Sequence, residues 1–158
     1  MTKKDIYNIP LKSIDSEDID LNKCRGKYIL FVNVASYCGY TNQYKDLQKL
    51  YDSYDNLEVI GLPCNQFLFQ EPFSESKIKN FCSLNYSITF LMTQKIKVKG
   101  KNQHDIYKWL TNKNLNNSFN STVKWNFQKY LTNPNGELIN YFYSTTKPMS
   151  KKITSLLK

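Results

Sequence analysis

Residues 27–34, KYILFVNV, are apolar almost without interruption. A half-buried strand alternates apolar and polar positions. A continuous run fits a central strand covered on both faces. Residues 41–54, TNQYKDLQKLYDSY, switch to helical spacing, with Tyr44, Leu47, Leu50, Tyr51 and Tyr54 along one stripe. Thr41 is placed to cap that helix. LEVIGL (57–62) is a second strand. Strand, helix and strand at these lengths predict a parallel, right-handed βαβ unit.

Downstream, SESKIKNFCSLNY (74–86) predicts a helix starting at Ser74, and NQHDIYKWLTN (102–112) a shorter one. LNNSFNST (115–122) is a polar loop. Residues 126–144 read as two strands around Asn133-Pro134-Asn135-Gly136, an antiparallel hairpin. A last short helix follows Pro148, and residues 5–20 are expected to form a small hairpin. The fold class is therefore α/β, one domain over 1–158, with a central mixed sheet flanked by helices on both faces. Sites in such sheets lie beyond the carboxyl ends of the parallel strands. Cys38 follows one of these ends, and PCNQF (63–67) follows its neighbour. A strand at 127–132 running antiparallel to both would start at the same edge, bringing KWN (124–126) there.

The 158 residues, 41% hydrophobic and 22% charged, are enough to bury a real core. No apolar run approaches the roughly 20 residues that span a bilayer. The opening MTKKDIYNIPLKS lacks a signal-peptide core and is read as part of the mature fold. The net charge of +9 comes from scattered lysines, with Arg25 the one arginine and no basic block. Base and phosphate readers favour the planar arginine fork, so a solvated lysine surface is expected here rather than a nucleic-acid site.

Four cysteines are present, Cys24, Cys38, Cys64 and Cys82, without a Cys-x-x-Cys pair, and His104 is remote from all of them. Zinc ligands come in tighter pairs, so no metal is expected, and no cofactor is called for. The pattern fits a reactive thiol in a reducing, cytoplasmic setting better than a secreted disulfide scaffold. Taken alone, Cys38 would read as inert packing. Its place just before a helix favours an anion, because unpaired N–H groups and the helix dipole point there. Larger acceleration needs donors aimed at the charge that moves in the transition state. Gln66, Trp125 and Asn126 offer two amide N–H₂ groups and an indole N–H, none of which titrates near neutral pH. Gly39 is expected to let the backbone turn tightly into the helix, His104 to satisfy a helix start, and Trp109 to be core.

NVASYCGYT (33–41), LPCNQFLFQEP (62–72) and KWNFQKYL (124–131) resemble the three signature segments of the glutathione peroxidase family. The likeness runs from about Ile6 to Leu157. It implies a thioredoxin-like fold and reduction of hydrogen peroxide and organic or lipid hydroperoxides. It maps a catalytic tetrad onto Cys38, Gln66, Trp125 and Asn126. In cysteine-type members the attacking thiolate becomes a sulfenic acid, which a second cysteine condenses into a disulfide. Cys82, in NFCSLNY (80–86), matches the resolving position. Its helix is expected to unwind for the bridge to form, and thioredoxin to reduce the product. Cys64 is the alternative resolver and Cys24 a bystander. Members that tetramerise and use glutathione typically carry a longer insertion near 112–122, so its shortness implies a thioredoxin-dependent monomer. A glutathione-dependent peroxidase and a peroxide-sensing relay protein with little turnover are the alternatives. The chain departs from the pattern at Asn42 and Leu91, where proline is common, at Phe73, where glycine is usual, and at Asp105, where proline follows the histidine.

Overall fold

The computed structural model describes residues 5–158; the first four, the start of the segment read above as mature fold, lie outside that range. A 3-10 turn at Ile6–Asn8 leads to a small antiparallel hairpin, β1 (Leu11–Lys12) and β2 (Asp18–Ile19), as the opening segment predicts. A second 3-10 turn, Leu21–Cys24, delivers the chain to β3 (Tyr28–Val34). Then come α1 (Gln43–Ser53), β4 (Leu57–Pro63), α2 (Glu75–Tyr86), β5 (Leu91–Met92), α3 (Asp105–Thr111), α4 (Lys113–Asn116), β6 (Lys129–Thr132), β7 (Leu138–Phe142) and α5 (Lys151–Thr154).

The central sheet has the order β5-β4-β3-β6-β7. β3 and β4 are parallel over their full length, Tyr28 opposite Leu57 through Val34 opposite Pro63. β6 runs antiparallel to β3, and the β6–β7 hairpin closes the sheet. The turn at 133–136 forms with Gly136 at a φ of +77°. A side chain there would meet the Tyr7 ring at 2.6 Å, so backbone and space both demand glycine.

β3 is buried on both sides, which explains its unbroken apolar run. Ile29 and Phe31 join one layer, where Tyr107, Trp109 and Leu110 of α3 pack. Leu30, Val32 and Val34 join the other, beneath Tyr44 and Leu47 of α1, Ile78 of α2 and Ile153 of α5. Each large side chain removed from water in this way stabilises the fold by about 1.5–3 kcal/mol. Helices therefore cover both faces, as expected.

Local chemistry sets the helix starts. The Ser74 hydroxyl accepts from the Lys77 N–H at 3.4 Å and caps α2. Imidazole Nδ1 of His104 accepts from the Ile106 N–H at 3.0 Å, so this histidine serves the helix start. Asp105 then opens α3, where a carboxylate suits the helix dipole. Thr41 is a correction. The residue before α1 is Asn42, which makes no side-chain cap, and the Thr41 hydroxyl is used elsewhere. It accepts from the Cys38 N–H and donates to the Ala35 carbonyl, both at 2.9 Å, fastening the loop that carries Cys38. Gly39 is a second correction. Its φ is not left-handed and a Cβ would meet nothing within 4 Å, so the turn does not require it. Phe73, standing where glycine is usual, also avoids positive φ and packs on Tyr37 with ring centroids 5.1 Å apart.

Candidate active site

Three remote segments meet at the carboxyl ends of β3 and β4, and direct hydrogen bonds join them. From the first segment, the Ser36 hydroxyl donates to the Glu71 carboxylate of the second, at 2.8 and 3.0 Å to its two oxygens. The Asn126 amide of the third donates to Gln70 Oε1 at 3.0 Å. The Phe127 N–H donates to the Asn33 carbonyl at 2.6 Å, extending the β3–β6 pairing to the sheet edge.

Cys38 lies on the loop between β3 and α1 and is 9% exposed. The Tyr40 N–H donates to its Sγ at 3.3 Å, a contact stronger toward a thiolate than toward a thiol. The donor is a loop amide, not one of the first turn of α1. All four cysteines are free thiols.

The remaining residues of the expected tetrad are gathered at this edge, Trp125 packing against the layer that holds Cys38, but the Gln66 and Asn126 amides are engaged elsewhere. Among the described residues, no hydrogen bond joins the Gln66, Trp125 or Asn126 side chain to Cys38 Sγ. The Gln66 amide is consumed by the loop after β5. It donates to the Lys99 carbonyl at 2.9 Å and accepts from the Val98 and Lys99 N–H groups at 2.7 and 3.2 Å. An amide settles where both of its ends are satisfied, and that loop satisfies both. Asn126 is fully buried, with its Nδ2 on Gln70 and its Oδ1 without a partner among the described residues. The Trp125 ring is half-buried and tilts against Phe67 at 5.5 Å.

Cys82 sits on α2, buried in the same apolar layer as Cys38. Burial is the main reason its thiol is pushed up to about 11, so it is held protonated. The fully buried Tyr44 hydroxyl lies against it and favours the thiolate, though not enough to offset burial. Cys64 and Cys24 belong to the opposite layer, and burial raises both thiols as well.

Sequence reasoning did not single out Glu71, although it lies inside a quoted motif. A carboxylate among apolar and amide residues was the available signal. Glu71 is fully buried, and burial pushes its carboxyl up to about 7, opposed by the Ser36 hydroxyl and by Lys95. Nothing in the pattern marked Ser144 or Lys129, whose roles arise only from tertiary contacts. Among the described residues, no group of three or more His, Cys, Asp or Glu side chains is arranged to hold a metal.

The family model for glutathione peroxidase matches residues 6–111. The glutathione peroxidase homolog BsaA of Bacillus subtilis is 41% identical over 145 residues, covering 90% of this chain and 91% of that protein. The glutathione peroxidase-like peroxiredoxin 2 of Saccharomyces cerevisiae is 41% identical over 155 residues and 96% of each chain. The crystal structure of Trgpx in its apo form superposes with a TM-score of 0.77 at 32% identity, covering 99% of this chain and 94% of that one. With the thioredoxin-like fold and the three joined segments in place, these matches make the chain a peroxidase of the glutathione peroxidase family.

Proposed function

We propose that the protein reduces hydroperoxides through Cys38, resolves the product with Cys82 and is recycled by thioredoxin. The Cys38 thiolate attacks the peroxide O–O bond. An S–O bond forms, the O–O bond breaks, and the departing oxygen takes a proton and leaves as water or an alcohol. The Cys82 sulfur then attacks the sulfenic acid. An S–S bond forms, the S–O bond breaks, and the Cys82 proton leaves with the hydroxyl as water. The thioredoxin dithiol returns both thiols and is itself oxidised. Such recycling suits a reducing compartment, the cytoplasm, and the short 112–122 segment suits a monomer.

The observation that carries this reading is that Cys38 and Cys82 share one apolar layer, on the α1 side of the sheet. Gln66, Trp125 and Asn126 act as donors once a peroxide binds. For Gln66 this means exchanging the 98–99 backbone for the site, since hydrogen bonds of this kind commonly tighten only around substrate. The site mouth supports organic and lipid hydroperoxides beside hydrogen peroxide. Leu68 and Phe69 stand out at 74% and 78% exposed, and Tyr37 and Tyr143 are exposed as well. Lysines flank them, Lys99 over the Phe67 ring at 4.7 Å and Lys124 over Tyr143 at 5.1 Å. An apolar rim with ammonium groups around it fits a hydroperoxide with an apolar body and an anionic head.

The test is steady-state peroxide turnover with thioredoxin, its reductase and NADPH, run beside an assay with glutathione. Turnover on thioredoxin that disappears in Cys38→Ser is expected. Equal turnover on glutathione that survives in Cys82→Ser would replace this reading with a glutathione-dependent enzyme. Thiol oxidation without turnover on either reductant would favour a relay protein.

A further inference from the structure

Trp125, Asn126 and Phe127 present three consecutive carbonyls, and each accepts a hydrogen bond from a different side chain. Asn33 Nδ2, on β3, donates to the Trp125 carbonyl at 3.1 Å. Ser144 Oγ, beyond β7, donates to the Asn126 carbonyl at 2.5 Å. Lys129 Nζ, on β6, donates to the Phe127 carbonyl at 2.6 Å. Phe127 itself has a φ of +67°, a left-handed conformation that a bulky residue keeps only when its surroundings impose it.

Lys129 is the least expected of the three. It is fully buried, and among the described residues no carboxylate lies within ion-pair distance of it; its hydrogen bond goes to that carbonyl. Burial drives its ammonium down to about 7. A methionine would fill the same space without the cost of burying an amine. What hydrocarbon cannot supply is an N–H at the Phe127 carbonyl.

We propose that Lys129, together with Asn33 and Ser144, is a positioning residue for peroxide reduction. It locks the backbone that carries Trp125 and Asn126, so their N–H groups wait at a fixed place for the peroxide oxygen and the Cys38 sulfur. The lock is needed because, among the described residues, the Asn126 side chain is tied only by its bond to Gln70, with its own oxygen unpartnered. This inference rests on the reading of Trp125 and Asn126 as donors, and its test separates the two.

The experiment measures single-turnover oxidation of Cys38 by hydrogen peroxide, using rapid quench and mass spectrometry on the reduced full chain. It compares the parent with Lys129→Met, Ser144→Ala and Trp125→Phe, and records urea unfolding of each. Lys129→Met is expected to unfold at the same or higher urea while Cys38 oxidation slows at least about tenfold, the scale expected when reacting groups lose their placement. Ser144→Ala is expected to slow it severalfold. A lysine that serves packing alone would lower the urea midpoint and leave the rate per folded molecule unchanged, and that result overturns the proposal. If Lys129→Met does not fold, Ser144→Ala decides: a slower rate supports positioning and an unchanged rate overturns it. Slow oxidation in Trp125→Phe with full-speed Lys129→Met overturns positioning alone. Full-speed oxidation in Trp125→Phe overturns the donor reading and this inference with it.

Discussion

Cys82 packs into the layer that holds Cys38, on the α1 side of the sheet, whereas Cys64 packs on the α3 side. A disulfide brings two Cα atoms to within about 4.4–6.8 Å. For Cys64, fully buried in the α3-side layer, that would require its side chain to leave that layer and turn to the other face of the sheet. For Cys82 it requires only that α2 open. Cys82→Ser should therefore lose nearly all thioredoxin-coupled turnover and Cys64→Ser should keep it, both read as NADPH consumption. A folded Cys64→Ser without turnover would reverse the assignment.

α2 is lightly anchored. Its 12 residues bury only Ile78 and Cys82, and Leu84 is 84% exposed. A segment with so few buried contacts unfolds locally at low cost. Removing the Ser74 cap should cost about 1 kcal/mol and enrich the unwound helix roughly fivefold. Ser74→Ala is expected to form the Cys38–Cys82 disulfide severalfold faster after peroxide, with faster amide exchange across α2 and a lower urea midpoint. Disulfide formation at the parental rate would mean that unwinding does not limit it.

Strong periodicity made most of the frame legible. The unbroken run of β3, the stripe of α1 and the Asn-Pro-Asn-Gly turn each had one reading, and together they placed Cys38, Gln66 and Trp125 at one edge. β5, two residues long, carries too little pattern to register, and α4 hides in a polar stretch. The hydrogen-bond partners were illegible for a different reason. The Thr41 hydroxyl had a helix start as its target, yet the preceding loop at Ala35 and Cys38 satisfied it; the Gln66 amide had a catalytic target, yet the remote 98–99 backbone satisfied it. Lys129 was unreadable for the same cause: only the finished fold covers it on every side.

Leu68 and Phe69 both adopt a φ of +54° while exposing large apolar side chains. The left-handed conformation costs a non-glycine residue about 1–2 kcal/mol. Replacing each with glycine should relieve that strain, partly offset by about 0.4–1 kcal/mol of extra chain entropy per site. The double glycine variant is thus expected to be as stable as the parent or slightly more so. Its kcat/KM for a bulky organic hydroperoxide should fall severalfold relative to hydrogen peroxide, because the apolar rim is gone. A preserved ratio would remove the rim from substrate selection.

Glu71 ties stability and resolution to pH. Its carboxyl titrates near 7 in the folded chain, against an ordinary value of 4.5. Between those pH values the folded state holds a proton that the unfolded state has released, so stability falls as pH rises and the penalty is complete above 7. The full effect is up to about 3 kcal/mol. Of the groups around it, the Ser36 hydroxyl and Lys95 favour the carboxylate, and its charge in turn opposes ionisation of Cys82, Cys64 and Tyr44. Glu71→Gln keeps an acceptor for Ser36 and removes the titration. Its urea midpoint should match the parent only below pH 4.5 and exceed it increasingly as pH rises through about 7. The same variant relieves Cys82 of a neighbouring negative charge, so the sulfenic acid should be resolved faster at pH 8, with little change at pH 5. Parallel stability curves for parent and variant across this range would show that Glu71 is ionised throughout and that its burial has been compensated elsewhere.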